Sequence, residues 1–381
     1  MKKYKGYIDW WVLLPVAALM FFSIAFVFSA SASFAEYRFG DYDKFFWSHA
    51  FRIFLAFTAM IIFSRIDYHV WKSFSKVFIY VSVILLILLF IIGTPINNVY
   101  RWLYIGPFNF QPSEIAKFAL VLHFAKLMSD RQEYIKEFKI GMLPLLIWSF
   151  LICGLIALQP NFSTAFVIYM IAMSMMFIGN TNFLHLLGVS LVSFVVAIIY
   201  AFSAKYRQER IMSFFSSEGE ERAADAAFYQ VDQAIIALGN GGILGVGPGH
   251  SRQSRLFLPE SYGDFIFSII GEEYGFIGLL VIILLFVFIL TRGIKIAKMA
   301  PDLFGYYLSS GIILTIAYYT LVSAAVNIGL LPTTGLPIPF LSYGGTAVII
   351  YASAIGILLN ISAQAGVLPR QNNRSADDEY T

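Results

Sequence analysis

Apolar residues run through this chain in long blocks, separated by short polar breaks. The blocks lie near 10–30, 49–65, 74–93, 113–128, 141–158, 162–178, 184–203, 264–290, 304–328 and 339–364. Most are close to the roughly 20 apolar residues a helix needs to cross a bilayer, and several are short. The fourth block is short and holds charge. The fifth and sixth meet at Gln159-Pro160, where proline suits the start of a new helix. The pattern predicts an all-α polytopic membrane protein of about ten transmembrane helices. It forms one membrane domain over 1–367, with a large extracellular loop at 204–263 between the seventh and eighth helices. A polar cytoplasmic tail, 368–381, is expected to be disordered.

Charge sets the orientation. With the N-terminus inside, the inner segments hold fifteen Lys and Arg residues, and the short outer loops hold only Arg38, Lys44 and Arg101. Basic residues concentrate on the cytoplasmic side of short loops. Both termini are therefore expected in the cytoplasm. Residues 204–263 carry six further basic residues, but long loops cross largely regardless of charge. Lys2, Lys3 and Lys5 followed by an apolar run and Ala30-Ser31-Ala32 resemble a secretory signal. The run from Trp10 to Ala30 is longer than the apolar region of such a signal and is read as a retained first span.

Composition agrees. Hydrophobic residues make up 59% of the 381 positions and charged residues 13%, about half of what a soluble domain carries. The net charge of +3 gives no reason to expect a nucleic-acid partner. A single cysteine, Cys153, excludes an intrachain disulfide and a Cys-based zinc site. His49, His69, His123, His185 and His250 show no ligand spacing, so no metal is assigned to protein side chains.

Ionisable groups inside apolar blocks are costly and mark candidate sites. Glu114 and Lys117 open the fourth block, three residues apart on one helical face, and can pair. A dipole-favoured carboxylate at a helix start explains Glu114, but not a lysine one turn into an apolar helix, so the pair is expected in a polar cavity. Asp264 heads the eighth block. Helical spacing places Ser268, Gly271, Gly275 and Gly278 below it, as a small polar stripe able to line a cavity or pack on a neighbour. The alternative is a dipole-favoured helix-start carboxylate. Glu272 and Glu273 point elsewhere and suit packing or ion pairing.

The glycine-rich run 239–249 lacks the Lys-Ser/Thr of a phosphate-binding loop and reads as a tight re-entrant turn, so no nucleotide is expected. Arg101, Arg207, Arg210, Arg252 and Arg255 gather outside, as a solvated face or as phosphate binders.

Four segments together resemble the SEDS family, the group containing RodA and FtsW: RWLYIGPFNFQPSEIAKFALVL at 101–122, QPNFSTA at 159–165, GNGGILGVGPGHSRQSRLFLPESYGDFIFSIIGEEYG at 239–275 and LPTTGLPIPFLSYGGTA at 331–347. Their order and spacing cover nearly the whole chain. The resemblance implies a glycosyltransferase that polymerises lipid II into glycan strands outside the inner membrane, in division or elongation. Undecaprenyl diphosphate is released. It implies Asp264 as the catalytic carboxylate. It also implies a class B penicillin-binding protein as partner, among other divisome or elongasome membrane proteins. The candidate substrate-binding set is Arg101, Gln111, Glu114, Lys117, Arg210, Arg255 and Ser342. A divalent cation, Mg or Mn, on the diphosphate fits this chemistry, although no dedicated metal cage is visible.

The chain departs from the family pattern at Asn161, where an Asp is usual, and at Tyr262-Gly263, where His-Thr is usual. Gly-Val-Gly-Pro-Gly-His-Ser at 245–251 leans towards the division branch and Gly-Leu-Pro-Ile-Pro-Phe at 335–340 towards the elongation branch, with division favoured. The rival reading is a lipid II flippase without bond chemistry.

Overall fold

A computed structural model describes residues 8–93, 101–105, 108–202, 208 and 226–365. Helices stand at all ten expected places: α1 Trp10–Phe39, α2 Lys44–Arg65, α3 Tyr68–Ile92, α4 Pro112–Asp130, α5 Leu143–Leu158, α6 Phe162–Ile178 and α7 Phe183–Ala201 precede the large loop. Within the loop lies a further helix, α8 Ala226–Gly241. Beyond it come α9 Ile266–Met299, α10 Leu303–Asn327 and α11 Ala347–Ala365. Among the described residues, eight apolar helical stretches are long enough to cross a membrane by length and composition. Of the remainder, α6 has 17 residues, and α4 carries Glu114, Lys117, Lys126 and Asp130. Arg207, Arg210 and the tail 368–381 lie outside the described residues.

Three features depart from the sequence pattern. A short hairpin, β1 Leu103–Ile105 paired antiparallel with β2 Phe108–Phe110, adds strand to an all-helical expectation. It holds Arg101 and Gln111 at its two feet. The last helix begins at Ala347 rather than near 339, because residues 331–346 turn repeatedly, with Gly335 and Phe340 at positive φ. Asp264 precedes the eighth-block helix instead of heading it, since α9 starts at Ile266.

Aspartate and asparagine side chains cap several starts. Asp9 accepts from Trp11 N at 3.0 Å, Asp67 from His69 N at 3.0 Å and Asn182 from Leu184 N at 3.0 Å. Each satisfies a backbone donor that the helix leaves open. Pro112 opens α4, where a missing N–H costs nothing. The helix α4 is buried on most sides, chiefly by α3 and α10, with α5, α6 and α11 completing its surroundings. Small residues let these helices approach. A methyl on Gly356 of α11 would stand 2.5 Å from the Met60 carbonyl of α2, and one on Gly311 of α10 would stand 2.5 Å from Val121 of α4. Close backbone approach is how helices associate where lipid removes the hydrophobic drive. The outward faces are apolar, as at Leu184, Leu191, Phe194 and Ile199 of α7.

Polar contacts gather at the end of the bundle holding both ends of the described chain. Asp9 N donates to Ser362 at 3.1 Å and Arg292 pairs with Asp9 at 2.6 Å. His69 lies between Asp67 and Asp302, 2.7 Å from each, and Tyr68 donates to Asp302 at 2.8 Å. The opposite end carries the hairpin, α8 and the 331–346 segment.

The helix α9 is broken at Gly275, whose φ of 67° and ψ of −167° are not helical. The glycine run fills the break. Val246 N donates to the Glu272 carbonyl at 2.9 Å and Gly247 N to the Glu273 carbonyl at 3.0 Å. Beyond the break, Phe276 N and Ile277 N donate to the carbonyls of Gly242 and Ile243 at 2.9 and 3.2 Å. The loop thus completes the hydrogen bonds that the break leaves open, as irregular backbone at membrane depth requires. Its glycines are sterically required. A Cβ on Gly245 would stand 2.2 Å from the Glu273 carbonyl oxygen, and one on Gly241 2.0 Å from that of Gly271. The stripe of Gly271 and Gly275 therefore packs on α8 and this loop.

Gly245→Ala combines a positive φ with a backbone clash and is expected to cost about 1–3 kcal/mol of strain or more. Gly239→Ala, with open space around it, is the control. Thermal melting of the detergent-purified protein should fall for the first and not for the second; equal melting would contradict the stitched break.

Candidate active site

The carboxylates after α9 begins do structural work on the loop before it. Glu272 accepts from Ser251 Oγ at 2.5 Å, Gln253 N at 3.2 Å and Arg252 N at 3.3 Å. Glu273 accepts from Gly249 N at 3.0 Å and from Ser29 of α1. These bonds hold residues 249–254 against the bundle and fix the path of the chain to Asp264. Asn327, buried at the end of α10, secures the other side. Its amide donates to the Asp264 carbonyl at 2.9 Å, and its oxygen accepts from Ser268 N and Oγ at 3.1 and 2.8 Å. The start of α9 and the Asp264 backbone are therefore clamped by one side chain.

Asp264 is half-buried, and among the described residues no donor bonds its carboxylate. Burial pushes its pKa up to about 7. The Glu260 charge adds to the rise and the Arg101 guanidinium opposes it. These are the conditions that tune a carboxyl group for proton transfer near neutral pH. Arg101 is oriented by its bond to the Pro160 carbonyl at 2.8 Å, between α5 and α6. Gly335 separates the two charged groups. A methyl there would lie 3.5 Å from Asp264 Oδ2 and 3.9 Å from Arg101 Nη1, so the absent side chain leaves room beside both. The 331–346 segment is tied to the Asp264 turn by Tyr343 N donating to the Tyr262 carbonyl at 2.9 Å. It is tied to the foot of the hairpin by Gln111 N donating to Thr346 at 3.3 Å.

The structure brings Asp264 and Arg101 together and sets the other candidates differently. Glu114 and Lys117 meet as expected, at 2.7 Å, but in the protein interior and nearly sealed from solvent. Lys117 also donates to Tyr351 Oη at 2.8 Å and lies 3.8 Å from the Tyr319 ring centre. Its charge is met by one carboxylate and by the rings of Tyr319, Tyr351 and Phe118. Ser342 is buried and accepts from Ile338 N at 2.9 Å, shaping the turn. Arg255 is exposed, and Arg210 is outside the described residues. Glu260, Gly335, Asn327 and Tyr343 form part of the site without having been singled out. Their sequence signal was membership of the 239–275 and 331–347 segments, except for Asn327, whose only signal was a polar residue at the end of an apolar block. Among the described residues no group of three or more His, Cys, Asp or Glu side chains could hold a metal ion.

Comparison with known proteins agrees on one family. A profile described as "Cell cycle protein", for FtsW, RodA and SpoVE proteins, matches residues 10–366. A probable peptidoglycan glycosyltransferase FtsW of Geobacter sp. (strain M18) is 36% identical over 366 residues, covering 96% of this chain and 99% of the relative. Stage V sporulation protein E of Bacillus subtilis (strain 168) is 36% identical over 357 residues, covering 92% and 96%. Among solved structures, a chain of a peptidoglycan synthase complex superposes with a TM-score of 0.76 at 22% identity, covering 94% of this chain and 98% of that one. The rod shape determining protein RodA of Thermus thermophilus gives 0.69 at 21% identity, covering 96% and 98%. These two share the fold.

Breaking the interior pair tests whether Lys117 is held mainly by its acid. Lys117→Met leaves Glu114 buried and unpaired, which is expected to cost about 3–5 kcal/mol. Adding Glu114→Gln should restore most of the loss in thermal melting. A double variant no more stable than the single one would show that the aromatic contacts dominate.

Proposed function

The chain belongs to the FtsW, RodA and SpoVE family of cell cycle proteins, and on that premise we propose how Asp264 and its neighbours carry out glycan-strand polymerisation. The protein is a peptidoglycan glycosyltransferase. Its substrate is lipid II. The 4-hydroxyl of an acceptor N-acetylglucosamine attacks the anomeric carbon of a donor N-acetylmuramic acid. The new bond joins that carbon to O4, and the bond to the diphosphate oxygen breaks. The O4 proton passes to Asp264, and undecaprenyl diphosphate leaves. The observation that supports this role most directly is the half-buried carboxylate, free of donors among the described residues and tuned to about 7.

Arg101, beside Asp264, is placed to offset charge that develops on the diphosphate. Arg210 and Arg255 remain candidates for the same task from the outer loop, with Gln111 and Ser342 shaping the walls. The Glu114–Lys117 pair acts from within the bundle, fixing α4 against α10 and α11 beneath the site. A Mg or Mn ion would draw most of its ligands from the diphosphate and water, and no step here depends on one. The site faces outward, with both termini cytoplasmic, in a multi-pass protein of the bacterial inner membrane. The partner is a class B penicillin-binding protein that crosslinks the strands; the solved complex with this fold couples polymerisation and crosslinking.

Orientation is tested by single cysteines in a Cys153→Ser background. Asp41→Cys should react with an impermeant reagent from outside intact cells, and Lys136→Cys only after the inner face is opened. The reverse pattern would remove the external site.

Asp264→Asn is nearly isosteric and removes the base, and polymerisation of purified lipid II should fall about 10²–10⁴-fold. Lipid II binding should persist. A base must be deprotonated, so the wild-type rate should fall as pH drops through about 7. Glu260→Gln removes a like charge, lowers the Asp264 pKa and should move that limb to lower pH. Wild-type rates from Asp264→Asn would refute the assignment. A wild-type protein that moves lipid II between leaflets without polymerising it would be a flippase.

A further inference from the structure

A second polar feature lies on the lipid-facing side of the bundle, at the end opposite the active site. There α3, α4 and α5 meet at a surface that carries basic and aromatic groups. Lys76 and Tyr80 are one turn apart on α3, and His123 and Lys126 one turn apart on α4, so each pair shares a face. Trp148 of α5 joins the two helices. Its ring meets His123 edge-on at 5.3 Å and Tyr80 edge-on at 5.4 Å. Arg131, just past α4, is anchored by donating to the Ile140 carbonyl at 2.8 Å. Lys76, Lys126 and Arg131 are all close enough to His123 for their charges to act on it.

Three observations separate this cluster from an ordinary basic rim. Among the described residues, no carboxylate lies within ion-pair distance of Lys76, Lys126 or Arg131, and the nearby Asp130 is taken by Lys72 at 2.7 Å. The His123 ring is almost fully buried, yet its Nδ1 has no hydrogen-bond partner. Lys76 and Lys126 also lie inside their helices, whereas Arg131 follows the end of α4. At about 1.5 Å per residue, Lys76 is about 12 Å along α3 from Tyr68 and His123 about 10 Å along α4 from Asp130. Lysines at such depth extend their amines towards the headgroup layer, and tryptophan and tyrosine favour the same level. Basic pockets between transmembrane helices on the cytoplasmic side bind anionic lipid headgroups.

We infer that the α3–α4–α5 face, through Lys76, Lys126 and Arg131 around the buried His123, binds the phosphate of an anionic glycerophospholipid, with Trp148 and Tyr80 against its upper acyl chain. The site is distinct from the lipid-linked substrate site at the other end. Its assignment to the inner leaflet rests on the orientation proposed above; lipid binding itself does not, so the two can fail separately.

The test uses the full chain in detergent. Retained lipid is counted by native mass spectrometry after exposure to phosphatidylglycerol or phosphatidylcholine. Wild type should retain phosphatidylglycerol selectively. Lys76→Gln with Lys126→Gln should weaken retention about 30-fold, from about fivefold for each lysine near a membrane surface. Lys136→Gln with Lys139→Gln, on the exposed inner loop, should leave it unchanged. Equal loss in both double variants, or equal retention of the two lipids by wild type, would overturn the site in favour of general charge attraction. Inorganic phosphate that displaces the lipid and stabilises the protein as well as the lipid does would identify a free-anion site instead. Should the double variant not fold, phosphatidylglycerol with a photoreactive headgroup, applied to wild type, decides. Crosslinks in 72–80 and 121–131 support the site, and crosslinks confined elsewhere overturn it.

Discussion

Backbone hydrogen bonds must be satisfied wherever water is absent, and the break in α9 shows how this protein meets that demand. Gly275 interrupts the helix in its N-terminal third, towards the end that carries the hairpin and α8. The glycine loop then supplies donors to the carbonyls on one side of the break and acceptors to the N–H groups on the other. Glu272 and Glu273, at the same break, hold the following segment through 249–254. The described part of the loop before α9 is thereby packed against the helical bundle. The position of Asp264 follows from this, because its turn is bounded by the stitched loop before it and by Asn327 beside it.

Two carboxylates illustrate how burial produces opposite outcomes. Glu114 is deep in the bundle and is matched at once by Lys117, with Tyr351 and Tyr319 completing the cage. A matched interior pair holds helices in register and has little reason to exchange protons. Asp264 is less buried but unmatched. Arg101 tempers its charge from nearby without bonding it, and Glu260 works the other way. That balance is why Asp264, and not Glu114, is the carboxylate we propose as the base. The same desolvation is answered by a bonded partner in one place and raises an unbonded carboxyl's pKa in the other.

Much was already legible in the chain, and the reason is the bilayer. A membrane imposes one length and one polarity on every crossing segment, so block length, loop charge and the position of Pro112 indicate the helices and their order without knowledge of contacts. The same constraint makes Glu114, Lys117 and Asp264 conspicuous, because a charge in or beside an apolar block needs a reason. The glycine run was recognisable as a tight re-entrant turn by the absence of a phosphate-binding lysine. What surrounds each of these residues was not legible, because the partners come from remote segments. Lys117 meets Tyr351 across 234 positions, and the amide of Asn327 reaches the Asp264 carbonyl across 63.

The sequence by itself therefore determined the helical membrane architecture and the family, and it singled out Asp264 as the carboxylate to propose as base, since each depends on local pattern or on motifs read in order. Tertiary structure alone decided that Glu272 and Glu273 brace the loop, that α9 is broken at Gly275, that Gly335 leaves room between Asp264 and Arg101, and that Lys117 is enclosed. The physical reason is range. Hydropathy and helical period act over a few residues, whereas hydrogen-bond completion and electrostatic tuning depend on groups that only the folded bundle brings within a few ångströms.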